Sequence, residues 1–409
     1  MVSQRTMTDR IDALLTNRWL AFPIFILFLW FIFWATFTVG QYPMDWIDAG
    51  VAWLGTQVGA LLPQGWLKDL LVDGIIAGVG SVLVFLPSIL ILYFFISLME
   101  DSGYMARSAL IMERLMRKIG LHGKSFIPIV MGFGCNVPAI MATRGIESRK
   151  SRLITIAIIP FMSCAGRLPI FVLFAGAFFP AHPALALLGI YLLGVAMAVI
   201  SALVLSRFIK DDEVPFEIEL PPYRIPKAKA IGRETWEKGR EYLEKIATTF
   251  LVFSIIIWAL GYFPRHEGAD KACQQEHSFI GAIGKAVEPA FAPLGFNWKM
   301  DVGLLAGIGA KELVISTIGV TYAQGSSVDV SASDTDDTAL QAALKADIPL
   351  PAAVAFMVFV LLYFPCIATF IAIKNETGAW HWAILLALYT IALAWLCAFA
   401  AFHLTSLLL

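Results

Sequence analysis

Three cysteines stand beside helix breakers inside apolar stretches of this sequence. Cys135 falls in Gly132-Phe133-Gly134-Cys135-Asn136-Val137-Pro138, Cys164 lies in Pro160-Phe161-Met162-Ser163-Cys164-Ala165-Gly166-Arg167-Leu168-Pro169, and Cys366 directly follows Pro365. Glycine and proline interrupt a helix and free backbone carbonyls, so each thiol is expected at a break, next to oxygen donors. Thiolates mixed with thioether and carboxylate groups suit a late first-row divalent ion, whereas magnesium and calcium prefer all-oxygen shells. The nearby donors are Asn136, Met141 and Met162. Carboxylates in apolar surroundings are costly and are functional candidates by default; here they are Glu312 and Glu100, with Asp101 and Asp73 at the ends of the same span as Glu100. A blander reading stands beside each. A buried cysteine can be a small apolar filler, and Cys397, which has no breaker beside it, reads that way. Glu312 can equally be a helix-end carboxylate or the partner of a basic residue on another helix, since the adjacent Lys311 would point elsewhere on a helix. Arg167 is expected to pair with one of these acids or with freed carbonyls.

The elements that must position these residues are membrane helices. Of the 409 residues 59% are hydrophobic and only 15% charged, against about 25% charge in a soluble domain, and mean hydropathy is +0.76. The apolar residues fall in runs long enough to cross a hydrocarbon core of roughly 30 Å. Spans are expected near 20–40, 82–99, 153–179, 184–206, 247–264, 350–373 and 379–402, with two shorter, glycine-interrupted stretches at 125–143 and 301–322. Met44 to Leu62, Tyr104 to Ile119 (with Arg107, Arg114, Arg117 and Lys118 on its polar side) and Ala230 to Lys245 read as interfacial amphipathic helices. Met1 to Arg18 has no small-residue cleavage site before its apolar run, so no signal peptide is indicated. With a net charge of −1 and dispersed basic residues, nucleic acid is excluded as a partner. The fold class is an all-α polytopic membrane protein.

Basic residues set the orientation. The N-terminal arginines, the 103–124 segment and Arg144, Arg149, Lys150 and Arg152 should face the cytoplasm, so 125–143 is flanked by basic segments on one side and is re-entrant or broken. Such backbone is tolerated at membrane depth only where protein buries it or it lines a cavity. The flanks of 301–322 are poor in Lys and Arg, so that segment enters from outside. The pattern predicts an inverted repeat of gate-type units with broken or re-entrant helices. Its parts are a 1–81 segment with the first span and an interfacial helix, repeat 1 at 82–206, a cytoplasmic linker at 207–246 and repeat 2 at 247–409. A faint echo supports it, with Gly132, Gly134 and Ile140 in step with Gly307, Gly309 and Ile315. Paired interrupted segments point to a midplane substrate site, where Cys135, Cys164 and Glu312 are expected to gather.

Two decoys carry no function. Gly123-Lys124-Ser125 resembles the end of a phosphate-binding loop, but Lys118 occupies the position that requires glycine and no strand precedes it. The six histidines form no HxxxH pair, so a histidine-built zinc enzyme is not indicated. A cysteine-nucleophile enzyme at Cys135 would need a base at the same depth, and the neighbouring spans offer no histidine.

Gly132-Phe-Gly-Cys-Asn-Val-Pro-Ala-Ile-Met-Ala-Thr-Arg144 closely resembles the signature of the bacterial ferrous-iron transport protein B family. Leu98-Met-Glu-Asp-Ser-Gly-Tyr-Met-Ala-Arg107, Pro160 to Cys164 with Arg167-Leu-Pro169, Ala310-Lys-Glu-Leu-Val314 and Phe364-Pro-Cys366-Ile-Ala-Thr369 support it, from about Asp9 to the end of the chain. The resemblance implies Fe2+ import across the bacterial inner (cytoplasmic) membrane, with Cys135, Cys164 and Cys366 along the metal path and Fe2+ as transported substrate. Family members carry an N-terminal GTP-binding domain, which this chain lacks. The chain is therefore expected to hold no nucleotide site and not to be an enzyme, the G domain being a separate GTP-binding protein or truncated away. Other partners implied are the lipid bilayer, small accessory Feo proteins and a second copy in a homo-oligomer. Ala165-Gly166 stands where relatives carry a hydroxyl residue, which puts a hydroxyl ligand in question. The rival reading is a gate-fold transporter or sensor for another divalent metal or a nucleoside-like solute.

Overall fold

The computed structural model describes residues 20–63, 65–209, 226–265, 271–322 and 337–408. Among the described residues the ordered elements are helical and there is no strand. Among the described residues five helical stretches are long and apolar enough to cross a membrane: Trp66–Ser102, Arg149–Phe178, Pro183–Phe208, Leu350–Thr377 and Trp380–Leu408. The chain forms two compact units, Met1–Ile159 with Val199–Thr249, and Pro160–Ala198 with Phe250–Leu409.

The first unit opens with α1 (Ala21–Trp34), a π-helical turn (Ala35–Val39) and α2 (Gly40–Leu61). These run on as one helix, so the expected interfacial segment from Met44 is continuous with the first span. The reason lies at Pro43, inside α2: its ring crowds the carbonyl four residues back and offers it no N–H, and the wider turn just before it absorbs the misfit. α3 (Ala77–Ser102) stops at Gly103, whose φ of 79° reverses the chain into α4 (Tyr104–Lys118). A positive φ of this kind is open to glycine and strained for other residues. α4 buries Ala109, Met112 and Met116. Arg107 departs from its expected place on the polar side of α4: it is buried and donates from Nη1 to the Gly103 carbonyl oxygen at 2.9 Å, satisfying the turn. Two short helices follow, α5 (Phe126–Met131) and α6 (Asn136–Ala142), then α7 (Arg149–Ile158), capped by Ser148, whose side chain accepts from the Ser151 N–H at 3.2 Å.

The second unit begins at Pro160 and contains α8 (Leu168–Phe178). The long helices α9 (Pro183–Phe208) and α10 (Ala228–Tyr262) contribute residues to both units. Further helices are α11 (Phe279–Phe291), α12 (Trp298–Gly309), α13 (Leu313–Tyr322), α14 (Leu350–Leu362), α15 (Ile367–Thr377) and α16 (Trp380–Leu408), beside the shorter Lys271–His277 and Asp337–Asp347. α14 is apolar all round and buried from Ala352 to Leu362 apart from Val354, as a central helix should be. Phe356 stacks on Phe174 of α8 with ring centroids 4.9 Å apart. α16 packs against α14 and buries mainly small residues: Ala383, Ala387, Ala394 and Ala398 are buried together with Leu386 and Thr390, while Leu385, Leu388, Leu396 and Leu404 are exposed. Small residues at the contact let two membrane helices approach closely.

Two expected spans are each a pair of helices. The 153–179 stretch is divided between α7 and α8, and 350–373 between α14 and α15. Together with α5/α6 and α12/α13, this makes four interrupted pairs among the described residues.

Candidate metal site at the helix breaks

Every one of the four interruptions carries a cysteine or a charged side chain, and local sequence explains where each falls. Between α5 and α6 the chain turns through Gly132-Phe133-Gly134, and Cys135 is extended (φ −151°, ψ 130°) as the residue before α6. Pro138 then lies in the first turn of α6, where a missing N–H is harmless. Asn136 is 4% exposed and its Oδ1 has no hydrogen-bond partner. A buried acceptor left unpaired costs roughly 1–3 kcal/mol, so this oxygen is poised for a group that brings positive charge. Met141, on α6, accepts a hydrogen bond at its sulfur from the Tyr93 hydroxyl at 3.4 Å. Glu100 is exposed at the end of α3, 3.7 Å from the Lys238 ammonium, which accounts for it as a surface ion pair.

The other three breaks belong to the second unit. At the first, Cys164 is extended and leads into a 3-10 turn, Ala165–Arg167, while Met162 is 1% exposed. At the second, α12 ends at Gly309, Ala310 is extended, and α13 starts after Lys311 and Glu312. At the third, Tyr363 leaves the helix, Phe364 is confined to extended geometry by Pro365, and Cys366 caps α15, with its sulfur 3.2 Å from the Thr369 hydroxyl.

These three breaks come together. Lys311 donates to the Phe364 carbonyl oxygen at 2.7 Å, and its ammonium stands 3.4 Å from the centroid of the Tyr363 ring. The Glu312 carboxylate lies over Gly166, so close that a Cβ there would stand 3.0 Å from its carboxyl carbon and nearer still to Oε1. Lys311, Glu312, Arg167, Cys164 and Cys366 are all within electrostatic range of Cys164 or one another. Arg167, fully buried, donates from Nη1 to the Pro160 carbonyl oxygen at 2.8 Å. Its expected role, a partner for freed carbonyls, is what the geometry gives. The second unit thus gathers two thiols, a carboxylate and two cations around three broken helix ends. None of the cysteines forms a disulfide. Among the described residues no group of three or more His, Cys, Asp and Glu is arranged to hold a metal ion.

Sequence reasoning missed Asp301. It lies in the first turn of α12, 1% exposed, with neither carboxylate oxygen hydrogen-bonded. A carboxylate at the start of the glycine-interrupted 301–322 stretch was a signal available in the sequence. The Gly123-Lys124-Ser125 triplet is a 3-10 turn. Its glycine N–H donates to Glu113 at 2.6 Å and its lysine pairs with Glu147 at 2.7 Å, so neither group faces a phosphate site.

Fold and breaks together define a polytopic helical membrane protein of the Gate type. The Gate family model, described as nucleoside recognition, matches residues 82–178 and 243–380, and a model described as ferrous iron transport protein B C terminus matches 187–238. The chain belongs to the ferrous iron transport protein B family. A fusion protein of Porphyromonas gingivalis, named Fe(2+) transport protein A/Fe(2+) transporter FeoB, is 48% identical over 98% of this chain and 52% of its own length. The Fe(2+) transporter FeoB of Campylobacter jejuni is 42% identical over 99% of this chain and 67% of its own length. That of Staphylococcus aureus is 43% identical over 96% of this chain and 58% of its own. The chain thus spans between about half and two thirds of these relatives. No solved structure matches the chain.

Proposed function

We propose that this chain is the permease part of a ferrous-iron importer of the bacterial cytoplasmic membrane, and that cysteines at broken helices line the metal path. One observation carries the reading: in the second unit three interrupted helices bring Cys164, Cys366 and Glu312 around carbonyls freed at the breaks. Broken helices at depth are the usual way a transporter builds an ion site from backbone and side chains. The donor set is soft enough for Fe2+ and too sulfur-rich for magnesium or calcium. In the first unit Cys135 and the orphan oxygen of Asn136 offer a comparable pair. A thiol binds metal as thiolate, so each cysteine that takes the ion releases one proton. Few ligands at each stage allow the ion to leave as well as enter.

The names of the relatives support iron as the substrate, and the fusion to a transport protein A in Porphyromonas gingivalis supports an accessory protein of that kind as partner. Within this proposal the purified chain is expected to bind no GTP analogue. The inverted arrangement of repeats 82–206 and 247–409, separated by the linker 207–246, belongs to the same proposal. Residue 331, suited to labelling from the outer side, lies outside the described residues, and Ser148 is its cytoplasmic counterpart.

Cys164→Ser and Cys366→Ser are each expected to cut 55Fe2+ uptake in an iron-starved strain while leaving membrane insertion intact. Undiminished uptake in both would remove the cysteines as ligands. The Gate description favours a second reading, a nucleoside-like solute; uptake of labelled nucleoside by the chain, unaffected by either serine variant, would establish it.

A further inference from the structure

The polar cluster of the second unit contains a residue that a cation site should not tolerate. Lys311 is 3% exposed and sits at the break between α12 and α13, among the groups proposed to bind Fe2+. A buried ammonium is costly unless it is well partnered. Lys311 has three N–H donors, yet it donates one hydrogen bond, to the Phe364 carbonyl oxygen at 2.7 Å, supplemented by the face of Tyr363 at 3.4 Å. Among the described residues it forms no ion pair, although Glu312 is its neighbour in sequence and that carboxylate lies over Gly166 instead. The ammonium thus rests on two groups that also attract metal cations, a carbonyl freed at a helix break and an electron-rich ring, and makes no ion pair with the carboxylate. Arg167 differs in that its one hydrogen bond, from Nη1, goes to the Pro160 carbonyl of its own break, while its Nε and Nη2 are buried without a hydrogen-bond partner.

We propose that Lys311 is a tethered cation that occupies the iron site of the empty protein and is displaced from the Phe364 carbonyl when Fe2+ arrives. This rests on the reading of the Cys164–Cys366–Glu312 cluster as a metal site. The physical logic is competition: two positive charges cannot share one carbonyl in a low-dielectric cluster, so the ion binds only as the ammonium withdraws. The return of the ammonium then helps to expel the ion. A resident cation lowers affinity and speeds release, which a transporter needs and a storage site does not. A purely structural lysine would hold the Phe364 carbonyl with and without metal.

The test uses the whole chain in lipid nanodiscs, anaerobic and reduced, with equilibrium binding of 55Fe2+. Lys311→Met, of similar length but uncharged, is expected to bind Fe2+ at least about tenfold tighter than the native protein and to release it more slowly. Lys311→Arg keeps the charge and is expected to bind no tighter than the native protein. Equal or weaker binding by Lys311→Met overturns the proposal. Should that variant fail to fold, the native protein decides: Fe2+ should raise the acylation of Lys311 by an amine reagent severalfold, read by peptide mass spectrometry, and unchanged or reduced labelling overturns it. Failure of the underlying metal site looks different, since Cys164→Ser and Cys366→Ser would then bind Fe2+ as tightly as the native chain.

Discussion

Replacing Gly166 by alanine tests the cluster with a single methyl group. The added Cβ would meet the Glu312 carboxyl carbon at 3.0 Å, with Oε1 closer still. Ordinary contact begins near 3.5 Å, so the carboxylate must withdraw by roughly 0.5 Å or more. The obstacle is the far end of a flexible side chain, not backbone. The protein can therefore yield by turning Glu312 away from its rotamer, at about 0.5–1.5 kcal/mol. Stability should change by no more than that. Binding should change by more, because a displaced carboxylate no longer completes the donor set: a loss of about 1.4 kcal/mol corresponds to tenfold weaker binding, and a tenfold or larger drop in Fe2+ affinity is expected. The assay pairs 55Fe2+ binding with thermal unfolding of the detergent-solubilised chain. Combining Gly166→Ala with Glu312→Asp, one methylene shorter, removes the crowding, so the two changes should be strongly non-additive. Native affinity in Gly166→Ala, or additivity in the double variant, would refute the close approach of the α13 break to Gly166.

Asn136→Leu removes a buried acceptor that nothing satisfies, so thermal stability should hold or rise by about 1 kcal/mol while iron uptake falls; a loss of both would mean the amide is structural. Phe356→Ala empties a fully buried ring site stacked on Phe174 and should cost about 3–5 kcal/mol, measured by denaturant unfolding in mixed micelles, with under 1 kcal/mol showing that α8 and α14 do not pack this way. The hydrogen bond from Lys124 holds the Glu147 carboxyl below its ordinary range. Its contribution is therefore complete above the unfolded carboxylate pKa of about 4.3 and lost as pH falls through the folded value. Because the side chain is 75% exposed, Glu147→Gln should cost less than about 0.5 kcal/mol at pH 7 and nothing at pH 3, and a destabilisation that grows on acidification would reverse this sign.

The positions of the breaks were legible in the sequence because glycine and proline act locally. Gly132-Phe-Gly134, Pro160 with Pro169, Gly307 with Gly309, and Pro365 each end or start a helix within a few residues of where they stand. What those breaks gather was not legible. Lys311 reaches Phe364, 53 positions away in sequence, and Gly166 receives a carboxylate from the α13 break; no periodicity encodes such pairings. Arg107 shows a different failure. Its spacing along α4 put it with the polar residues, but the carbonyl at the Gly103 turn drew it inward. Likewise the sequence divides a first span near 20–40 from an interfacial helix at Met44, whereas a π turn before Pro43 lets one helix continue through both. Asp301 is half legible: its place at the start of a glycine-interrupted stretch is written in the sequence, whereas its near-complete burial comes from the packing around α12 and not from its immediate neighbours.

The alanine face of α16 bears on how such a chain tolerates drift. In water, evolution can tell inside from outside by polarity; in a bilayer both sides of α16 are oily, and only bulk distinguishes them. Exchanges among leucine, isoleucine, valine and phenylalanine at Leu385, Leu388, Leu396 and Leu404 leave the helix in the same solvent at nearly the same energy. An added isopropyl group at Ala387 or Ala394 would be invisible to any hydropathy profile, yet would wedge α16 off α14, the helix that ends at Tyr363, three residues before Cys366. The residues that guard the seating of α14 thus include some of the plainest in the chain, and their constraint is one of volume.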